Sequence, residues 1–522
     1  MKRLLTILAA VIFALAARAE RRVVLATDKA VYIAGDAVLC SVWSLEDGAL
    51  CDSSAVAYVE LVSAEGLAAT GKIALTGGRG AGAVILPASM PTGNYRIFAY
   101  TSDSSSAEAS LISVFNTGSK ARVKGGVEIV SGAHSEGVSP SFGGEISISA
   151  PLSAKEGAPL RIVLGNAGDS DVEVALSVTE DDGVPSPSGT VSIALDPGEP
   201  EPDGETIHAR LNGQDAAEVA EKSWFTAFIS APGSASDSYT GKISPDGSIY
   251  FKTNNIYGQR DLVCEIMGLP DSRDCSFAPV SPFKEPDAGP VPVLGLSPSV
   301  RPALEARKAA LRENCARLDT LYEFLPRRDN LLLDERDAIT YHLDDYTRFP
   351  KVKDIIVEII PSLAVRKHNG RQEIKIILED VPYKGRSNNV LVMLDGVPVG
   401  NHEHMLSFDA SLLGDVQVYP YNYALGKTVF AGIVNFVTTR HDMSSLFFDK
   451  NVRIVDFQGC SYPVSLGPEQ PANAGATLLW QPLLRSPAGG SVSFELSASG
   501  QPLVITASTA SAVSRAVVQV RK

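Results

Sequence analysis

Most of the chain alternates apolar and polar residues with a period of two, which predicts β-strands. Such segments run from Val23 to Phe115, and they recur between residues 118 and 203 as GEISISA, LRIVLGN and DVEVALSVTE. A third group occupies residues 204–282. Gly, Asp, Ser and Pro separate the segments at the spacing typical of β-sandwiches. The pattern therefore predicts several small β-domains.

The period changes to that of a helix in two places. Between Val300 and Leu325 apolar residues recur at spacings of three, four and seven, and Pro326 ends the element. We expect this helix to pack between domains as a connector, and a coiled-coil partner site is the alternative. A second helix is predicted from Lys351 to Ile360, followed by four strands, IKIILEDVP, VLVMLDGVPV, DVQVYPYNYA and AGIVNFVTTR. The apolar seam of the first helix consists of Leu304, Leu311, Cys315, Leu318, Tyr322 and Leu325.

The first residues predict a segment for export. Lys2 and Arg3 precede an apolar run, and Ala17 and Ala19 are small residues suited to cleavage by signal peptidase. We therefore expect the mature chain to begin at Glu20. The run is too short to anchor the chain in a bilayer and no comparable run follows, so no transmembrane span is expected.

Charge and cysteine content narrow the environment. The formal charge is −14, and removal of the basic leader makes it more negative. An acidic balance disfavours nucleic acid and anionic membranes as partners. In an oxidising compartment Cys40–Cys51 and Cys264–Cys275 could each close a short loop, and buried free thiols are the alternative.

Two segments near the N-terminus carry a resemblance to a known family. TDKAVYIAGDAVLCSVW and LPASMPTGNYRIFAYT are similar to the second macroglobulin-type domain of alpha-2-macroglobulin-like proteins. The resemblance implies a β-sandwich whose core holds the two tyrosines and whose turns use the two glycines. The matching residues are Asp28, Lys29, Tyr32, Gly35, Pro91, Gly93 and Tyr95.

A second resemblance rests on Asp395, Gly396, Pro398, Gly432 and Asn435. The strand, Asp-Gly turn and final GIVNFVT strand that contain them look like the plug domain of TonB-dependent outer-membrane receptors. Only about 80 residues follow this unit, too few for a receptor barrel. The usual Arg-Gly ending of the first strand pair is also missing. We expect a plug-like unit that serves binding or assembly, without energy coupling through TonB.

Motifs for covalent or hydrolytic chemistry are missing from the sequence. The internal thioester of macroglobulins needs Cys-Gly-Glu-Gln, and the nearest string, Gly467-Pro468-Glu469-Gln470, has no cysteine. Neither a G-x-S-x-G elbow nor an H-E-x-x-H helix occurs. We therefore expect a non-enzymatic protein without a cofactor.

Metal-ligating side chains occur in two short groups. His402 and His404 would share one face of an extended segment, and Asp409 or Asp415 could complete a metal site. A polar loop is the alternative, and it is the one we favour. The acids at 180–182 could likewise help to bind Ca²⁺, or they could form a solvated strand end.

Tyr421 and Tyr423 are candidates for ligand contact. Exposed rings could stack on a sugar or a peptide, whereas inward-facing rings would pack in the core. Together with His402 and His404 they form the predicted binding residues.

The patterns and resemblances together predict a mainly β chain: a string of Ig-like or macroglobulin-like β-sandwich domains, one helical connector and an α+β plug-like domain. Exported multidomain proteins of Bacteroidota that join such units are similar to it throughout. The expected segments are a signal peptide at 1–19, a macroglobulin-like sandwich at 20–117, sandwiches at 118–203 and 204–282, a Pro/Gly linker at 283–299, the connector at 300–335, the plug-like domain at 336–442 and a C-terminal β-domain at 443–522.

Our leading hypothesis is an exported binding or assembly protein, in the periplasm or at the outer membrane of a Gram-negative envelope. Its plug-like domain would dock to another envelope protein. The alternative is an accessory module that captures a glycan or a peptide at the 396–423 loops for an uptake system. A weaker alternative is a protease inhibitor without a thioester, with an exposed bait segment at 283–299.

Overall fold

A computed structural model describes the chain between Glu20 and Arg521. Two compact units divide it: unit 1 is Met1–Gly204, Phe283–Leu325 and Cys460–Lys522, and unit 2 is Glu205–Pro282 and Pro326–Gly459. The predicted signal peptide and the predicted Glu469-Gln470 string lie outside the described residues. The described residues are 20–130, 144–222, 225–233, 236–270, 272–322, 333, 335–368, 370–377, 389–425, 428–443, 446–467 and 477–521.

The chain is mainly β, as predicted. The strands of the first 200 residues are β1 Arg21–Thr27, β2 Val31–Ile33, β3 Ala37–Glu46, β4 Ala49–Leu50, β5 Val56–Ser63, β6 Gly66–Ala74, β7 Arg79–Ile85, β8 Gly93–Tyr100, β9 Ser106–Phe115, β10 Val127–Ile129, β11 Ile146–Ser149, β12 Ser153–Lys155, β13 Pro159–Asn166, β14 Val172–Glu180 and β15 Thr190–Ala194. The next are β16 Thr206–Asn212, β17 Thr226–Ala231, β18 Asp237–Ile243, β19 Ser248–Lys252, β20 Gln259–Met267, β21 Ser276–Pro279 and β22 Leu294–Leu296.

The remaining elements follow in the same order. The strands are β23 Ile339–His342, β24 Leu363–His368, β25 Arg371–Ile376, β26 Leu391–Leu394, β27 Val397–Pro398, β28 Leu413–Tyr419, β29 Tyr423–Leu425, β30 Thr428–Phe430, β31 Ile433–Thr438, β32 Arg453–Gln458, β33 Thr477–Ser486, β34 Ser491–Ser497, β35 Leu503–Ser508 and β36 Val513–Arg521. The helices are α1 Ala216–Glu221, α2 Arg301–Leu321, α3 Val352–Glu358 and α4 His402–Ser407, with 3₁₀ turns at Pro298–Val300, Glu335–Asp337, Leu343–Asp345 and Ala410–Leu412.

The N-terminal strands of unit 1 fold over one apolar core. Their order is β4-β3-β1-β9-β8-β5-β6, with β7 on β3 and both β2 and β15 on β9. Tyr32 and Tyr95 are fully buried among residues such as Val38, Val59 and Ile97. Because β15 pairs with β9, this fold takes in a strand from beyond the predicted boundary at residue 117.

The second sandwich of unit 1 combines strands that are distant in sequence. Its sheets are β11-β13-β34 and β12-β36-β35-β14-β33. The predicted separate domains at 118–203 and 443–522 are therefore wrong. The open edges of β13 and β14 are completed by antiparallel pairing with β34 and β33, which satisfies their backbone groups. The enclosed core includes Leu160, Leu176 and Ile505.

Helix α2 packs on unit 1, as its apolar seam predicts. Leu304 and Leu311 contact the cluster around Val31, and Leu318 contacts the cluster that contains Trp43. The helix ends at Leu321, earlier than the predicted Leu325, because Tyr322 is extended and pairs with Val464.

The predicted linker at 283–299 is bound along the first sandwich. Lys284 N donates to Glu60 Oε1 (2.9 Å), and Arg96 Nη2 donates to the carbonyl of Pro290 (2.9 Å). The segment is thus held by hydrogen bonds, while Glu285, Asp287 and Val293 within it remain exposed, as the inhibitor hypothesis expects of a bait segment.

The first half of unit 2 is a curled seven-stranded sheet, which we call the small barrel. Its order is β21-β16-β19-β18-β17-β20-β32. The two end strands meet where Arg453 Nε donates to Ser276 Oγ (3.1 Å). Phe251, Phe277 and Leu262 lie in its interior. Strand β32, predicted as part of the C-terminal domain, belongs here because it pairs with β20.

The second half of unit 2 is an α+β fold with sheet order β23-β28-β31-β26-β27. Strands β26 and β31 are parallel and the other pairs are antiparallel. Helices α3 and α4 cover one face, where Ile355 and Met405 are buried. The other face packs through Leu391 and Met393 against Phe228 of the small barrel.

The cysteine pairs and the membrane prediction can be compared with the structure directly. Cys40, Cys51, Cys264 and Cys275 are free thiols, so the two proposed loop-closing disulfides are not formed. Cys40, Cys264 and Cys275 are buried, which matches the apolar-thiol alternative. Among the described residues, no helix is long and apolar enough to cross a membrane.

Candidate functional site

The predicted histidine pair lies in helix α4, so both the extended segment and the polar loop that we favoured are wrong. Asn401 caps α4 by accepting a hydrogen bond from Glu403 N (3.1 Å). Residues two apart on a helix point in different directions, so His402 and His404 do not share a face. Among the described residues, no three His, Cys, Asp or Glu side chains are grouped to hold a metal ion.

Each of these histidines has a structural partner. His402 Nδ1 accepts a hydrogen bond from Ile374 N (3.1 Å). Burial lowers the pKa of His402 to about 4, so its ring is neutral at physiological pH. His404 Nε2 lies 3.4 Å from Asp449 Oδ1. Both rings therefore help to hold α4 in place.

The acids considered as further ligands are engaged elsewhere. Asp409 caps a 3₁₀ turn by accepting from Ser411 N (2.9 Å). Asp415 lies 2.8 Å from His342 Nδ1, and it raises the pKa of that imidazole through a hydrogen bond. Neither carboxylate turns toward a common centre with His402.

The two predicted tyrosines are separated by burial. Tyr421 precedes the β29–β30 hairpin and is 57% exposed. Tyr423 opens the hairpin and packs against the cluster around Phe430, and this burial raises its pKa. One ring is thus available to a partner, and the other belongs largely to the core.

The plug-motif residues Asp395, Gly396 and Asn435 make buried hydrogen bonds around one turn. Asp395 and Gly396 both have positive φ, +50° and +77°, the combination of a type I′ turn. Asp395 accepts from Thr438 N and Thr438 Oγ1, both at 2.7 Å. Gly396 N donates to Asn435 Oδ1 (2.9 Å). These hydrogen bonds connect the β26–β27 turn to β31.

Gly432 and Pro398 fit the same interpretation. A Cβ on Gly432 would lie 2.4 Å from Ile376 Cδ1 and 2.6 Å from the Tyr419 carbonyl oxygen, so only glycine fits there. Pro398 lies in β27, the end strand of the sheet, opposite Met393. Proline has no backbone N–H, and an edge strand tolerates it because the open side of such a strand needs no ladder donor. The plug motif is therefore a folding device.

The Asp-Gly turn also contacts the small barrel within unit 2. Ser238 Oγ donates to the Gly396 carbonyl oxygen (2.7 Å). One strand further on, Gly400 N donates to Glu265 Oε1 (2.8 Å). The second oxygen of Glu265 is buried and accepts no hydrogen bond from the described residues. Sequence reasoning missed Glu265, although an acid within the apolar run LVCEIM was a signal.

The macroglobulin-like motif centres on Asp28, which is 4% exposed. Its carboxylate accepts from Leu39 N (3.1 Å), from the Tyr32 hydroxyl (2.8 Å) and from Thr477 Oγ1. Lys29 Nζ lies 3.8 Å from it. Since Thr477 begins β33, this carboxylate connects the two sandwiches of unit 1.

A second buried ion pair completes this connection. Arg307 of α2 binds Asp182 with both sides of its guanidinium, at 2.6 and 2.9 Å, and donates to the Val31 carbonyl oxygen (2.8 Å). Such a fork is the strong form of charge-assisted bonding. The acid run at 180–182, considered as a Ca²⁺ site, thus holds the helix to the sandwiches.

The remaining motif residues shape the first sandwich. The Tyr95 hydroxyl donates to the Pro91 carbonyl oxygen (2.6 Å). Gly93 starts β8 and Gly35 lies in the turn between β2 and β3. All seven residues of this motif serve the fold. Gly93 does so within strand β8, where a Cβ would lie 2.6 Å from Val123 Cγ2, and not in a turn as the resemblance implies.

The chain has low sequence identity to the solved structures that it resembles. No protein-family model and no curated protein matches the chain. Among solved structures, native Escherichia coli alpha-2-macroglobulin is 9% identical with a TM-score of 0.23, over 96% of this chain and 40% of that one. Salmonella alpha-2-macroglobulin reacted with methylamine is 8% identical with a TM-score of 0.16, over 96% and 23%.

A DUF4785 family protein from Legionella pneumophila is 10% identical with a TM-score of 0.13, over 33% of this chain and 47% of that one. The chain spans less than half the length of the alpha-2-macroglobulins. TM-scores this low do not support any statement about function. The fold assignment rests on the strand pairing within this chain.

Proposed function

We propose that this chain is an exported, non-enzymatic binding or assembly protein of a Gram-negative envelope, and that its plug-like fold docks to another envelope protein. The observation that carries the proposal is a set of large apolar side chains exposed near the β29–β30 hairpin. Ile339, Tyr421 and Val429 are 41%, 57% and 48% exposed. We call these three residues the hairpin surface.

The position of the hairpin surface suits docking. Ile339 starts β23, the end strand of the sheet, opposite Val418. Tyr421 follows β28 by two residues, and Val429 lies in β30. Exposed apolar residues beside a strand edge are a typical protein-binding feature, since a partner can add both apolar contacts and backbone hydrogen bonds.

The candidate metal-ligating side chains already have structural partners, which favours a role in binding. His402 already accepts a backbone hydrogen bond, and Asp409 and Asp415 already have partners. The 283–299 segment is partly exposed but is held to the first sandwich by hydrogen bonds, which disfavours the open strand that a protease would need to cut it.

Surface substitution tests the proposal better than deletion of the plug-like fold, because deletion would expose Phe228 of the small barrel. We expect the double variant Tyr421→Ser, Val429→Ser to lose its crosslinked partners in native envelopes, identified by mass spectrometry. Circular dichroism and thermal melting should not change. Val357→Ser is the matched control, since Val357 is 65% exposed on α3. Unchanged partners in the double variant, or equal loss in the control, would sink the proposal.

A further inference from the structure

A cleft opens in unit 1 beside the contact of its two sandwiches. Its volume is about 460 Å³, within the range of pockets that hold small ligands. Strands β3 and β7 of the first sandwich and β14 and β33 of the second contribute to its walls. The residues used below are Trp43, Leu50, Arg79, Asp171, Glu173 and Arg485.

Two ion pairs line the cleft. Arg79 Nε lies 2.8 Å from Glu173 Oε2. Both atoms are buried, yet neither makes an aligned hydrogen bond to the described residues. Arg485 Nε donates to Asp171 Oδ2 (2.8 Å). The ion pair holds the guanidinium of Arg79 at the wall of the cleft.

Donors and acceptors of both charges remain in the cleft. No described residue accepts a hydrogen bond from the two terminal nitrogens of Arg79, which suit a carboxylate. Asp171 Oδ2 accepts from both Nε and Nη2 of Arg485, and Asp171 Oδ1 accepts from Ala488 N (2.9 Å), so a lone pair remains on Oδ1 for an ammonium group.

The lining favours a zwitterion over a sugar. The one aromatic residue in the lining is Trp43, and it is 1% exposed, so it presents no ring face on which a sugar could stack. Leu50, which is 43% exposed, can contact an apolar side chain of a ligand.

We propose that this cleft binds a short peptide by its charged ends, with the terminal carboxylate on the guanidinium of Arg79 and the terminal ammonium on Asp171. This site is separate from the hairpin surface, so it stands or falls independently of the docking proposal.

Isothermal titration of the mature chain with the tripeptide Ala-Leu-Ala tests the proposal. Free Ala-Leu-Ala should bind, and blocking either end by acetylation or amidation should weaken binding by about tenfold or more. Arg79→Met should weaken the free peptide and leave the amidated peptide unaffected. Ser511→Trp, which adds bulk at an exposed residue of the lining, should abolish binding. Arg161→Met, at an exposed position on β13, is the matched control.

Thermal unfolding of each variant shows whether it is folded, and the Ser511→Trp result remains informative if Arg79→Met fails to fold. Equal binding of free and blocked peptides would overturn the proposal. So would unchanged binding in Ser511→Trp, no binding by Ala-Leu-Ala, or saturable binding of maltose that Ser511→Trp removes.

Discussion

Two buried carboxylates, one in each unit, are surrounded very differently. Asp28 of unit 1 accepts hydrogen bonds from Leu39 N, the Tyr32 hydroxyl and Thr477 Oγ1, and Lys29 stands beside it. Glu265 of unit 2 is also buried, but it accepts from Gly400 N alone and leaves its second oxygen without a hydrogen bond among the described residues.

The difference shows what a buried acid costs in each place. A carboxylate with several donors and a cation can remain charged inside a protein, because these groups replace the lost water. A carboxylate with one donor is better neutral. Burial raises the pKa of both acids, but at Asp28 the charge of Lys29 and the hydrogen bonds from Thr477 and Tyr32 oppose the rise. The Asp28 carboxylate thus helps to join the two sandwiches, whereas Glu265, with one donor, gives unit 2 a strong sensitivity to pH.

The largest expected effect concerns Glu265. Burial raises its pKa from the usual 4.5 of a glutamate to about 8, and the charge of Asp449 adds to the rise. The folded state thus keeps a proton that the unfolded state releases above pH 4.5. The contribution of Glu265 to stability should be greatest below pH 4.5 and should fall by up to about 5 kcal/mol between pH 4.5 and 8.

Glu265→Gln should remove this pH dependence and should make unit 2 more stable than the native protein at pH 8.5. Hydrogen exchange of β17 and β26 amides across this pH range measures the effect. Glu358→Gln, at an exposed position on α3, should keep the native pH profile. A native-like slope in Glu265→Gln would show that another group is responsible.

A comparable loss is expected when Asp28 is removed. Asp28→Ala removes the acceptor of Leu39 N and Thr477 Oγ1, whereas Lys29 keeps Asp36 (2.9 Å) as its partner. Two buried donors without an acceptor should destabilise unit 1 by roughly 3–5 kcal/mol. Urea unfolding followed by tryptophan fluorescence measures this change, since Trp43 and Trp480 are both buried in unit 1. Asp203→Ala, at an exposed position, should change stability by no more than about 0.5 kcal/mol. Similar effects in the two variants would contradict the joining role of Asp28.

Local patterns predicted local structure well. The seam of α2 and the period-two runs depend only on which residues face a core, and the structure places Leu304 and Leu311 as predicted. Strand partners were not predictable in this way. Strand β33 pairs with β14 across about 300 residues of chain, and such pairing depends on which edges remain open after folding.

The candidate site divides along the same line. Asp28 and Asp395 were identified as fold markers by their motifs, and both are buried polar centres. The expected pairing of His402 with His404 assumed an extended segment, but Asn401 caps a helix there. Arg307 and Glu265 gave little signal, because their importance comes from partners far away in the sequence.

The smallest expected effect concerns the loss of one hydrogen-bond donor to Asp28, with the carboxylate itself kept. Thr477→Val removes one donor and leaves Leu39 N and the Tyr32 hydroxyl in place, so the loss should be about 1 kcal/mol. Urea unfolding under the conditions used for Asp28→Ala measures it, with Thr506→Val on β35 as the control. A loss as large as that of Asp28→Ala would mean that all the donors are needed together. The contrast with Glu265 would then depend on whether the set of donors is complete, and not on how many donors there are.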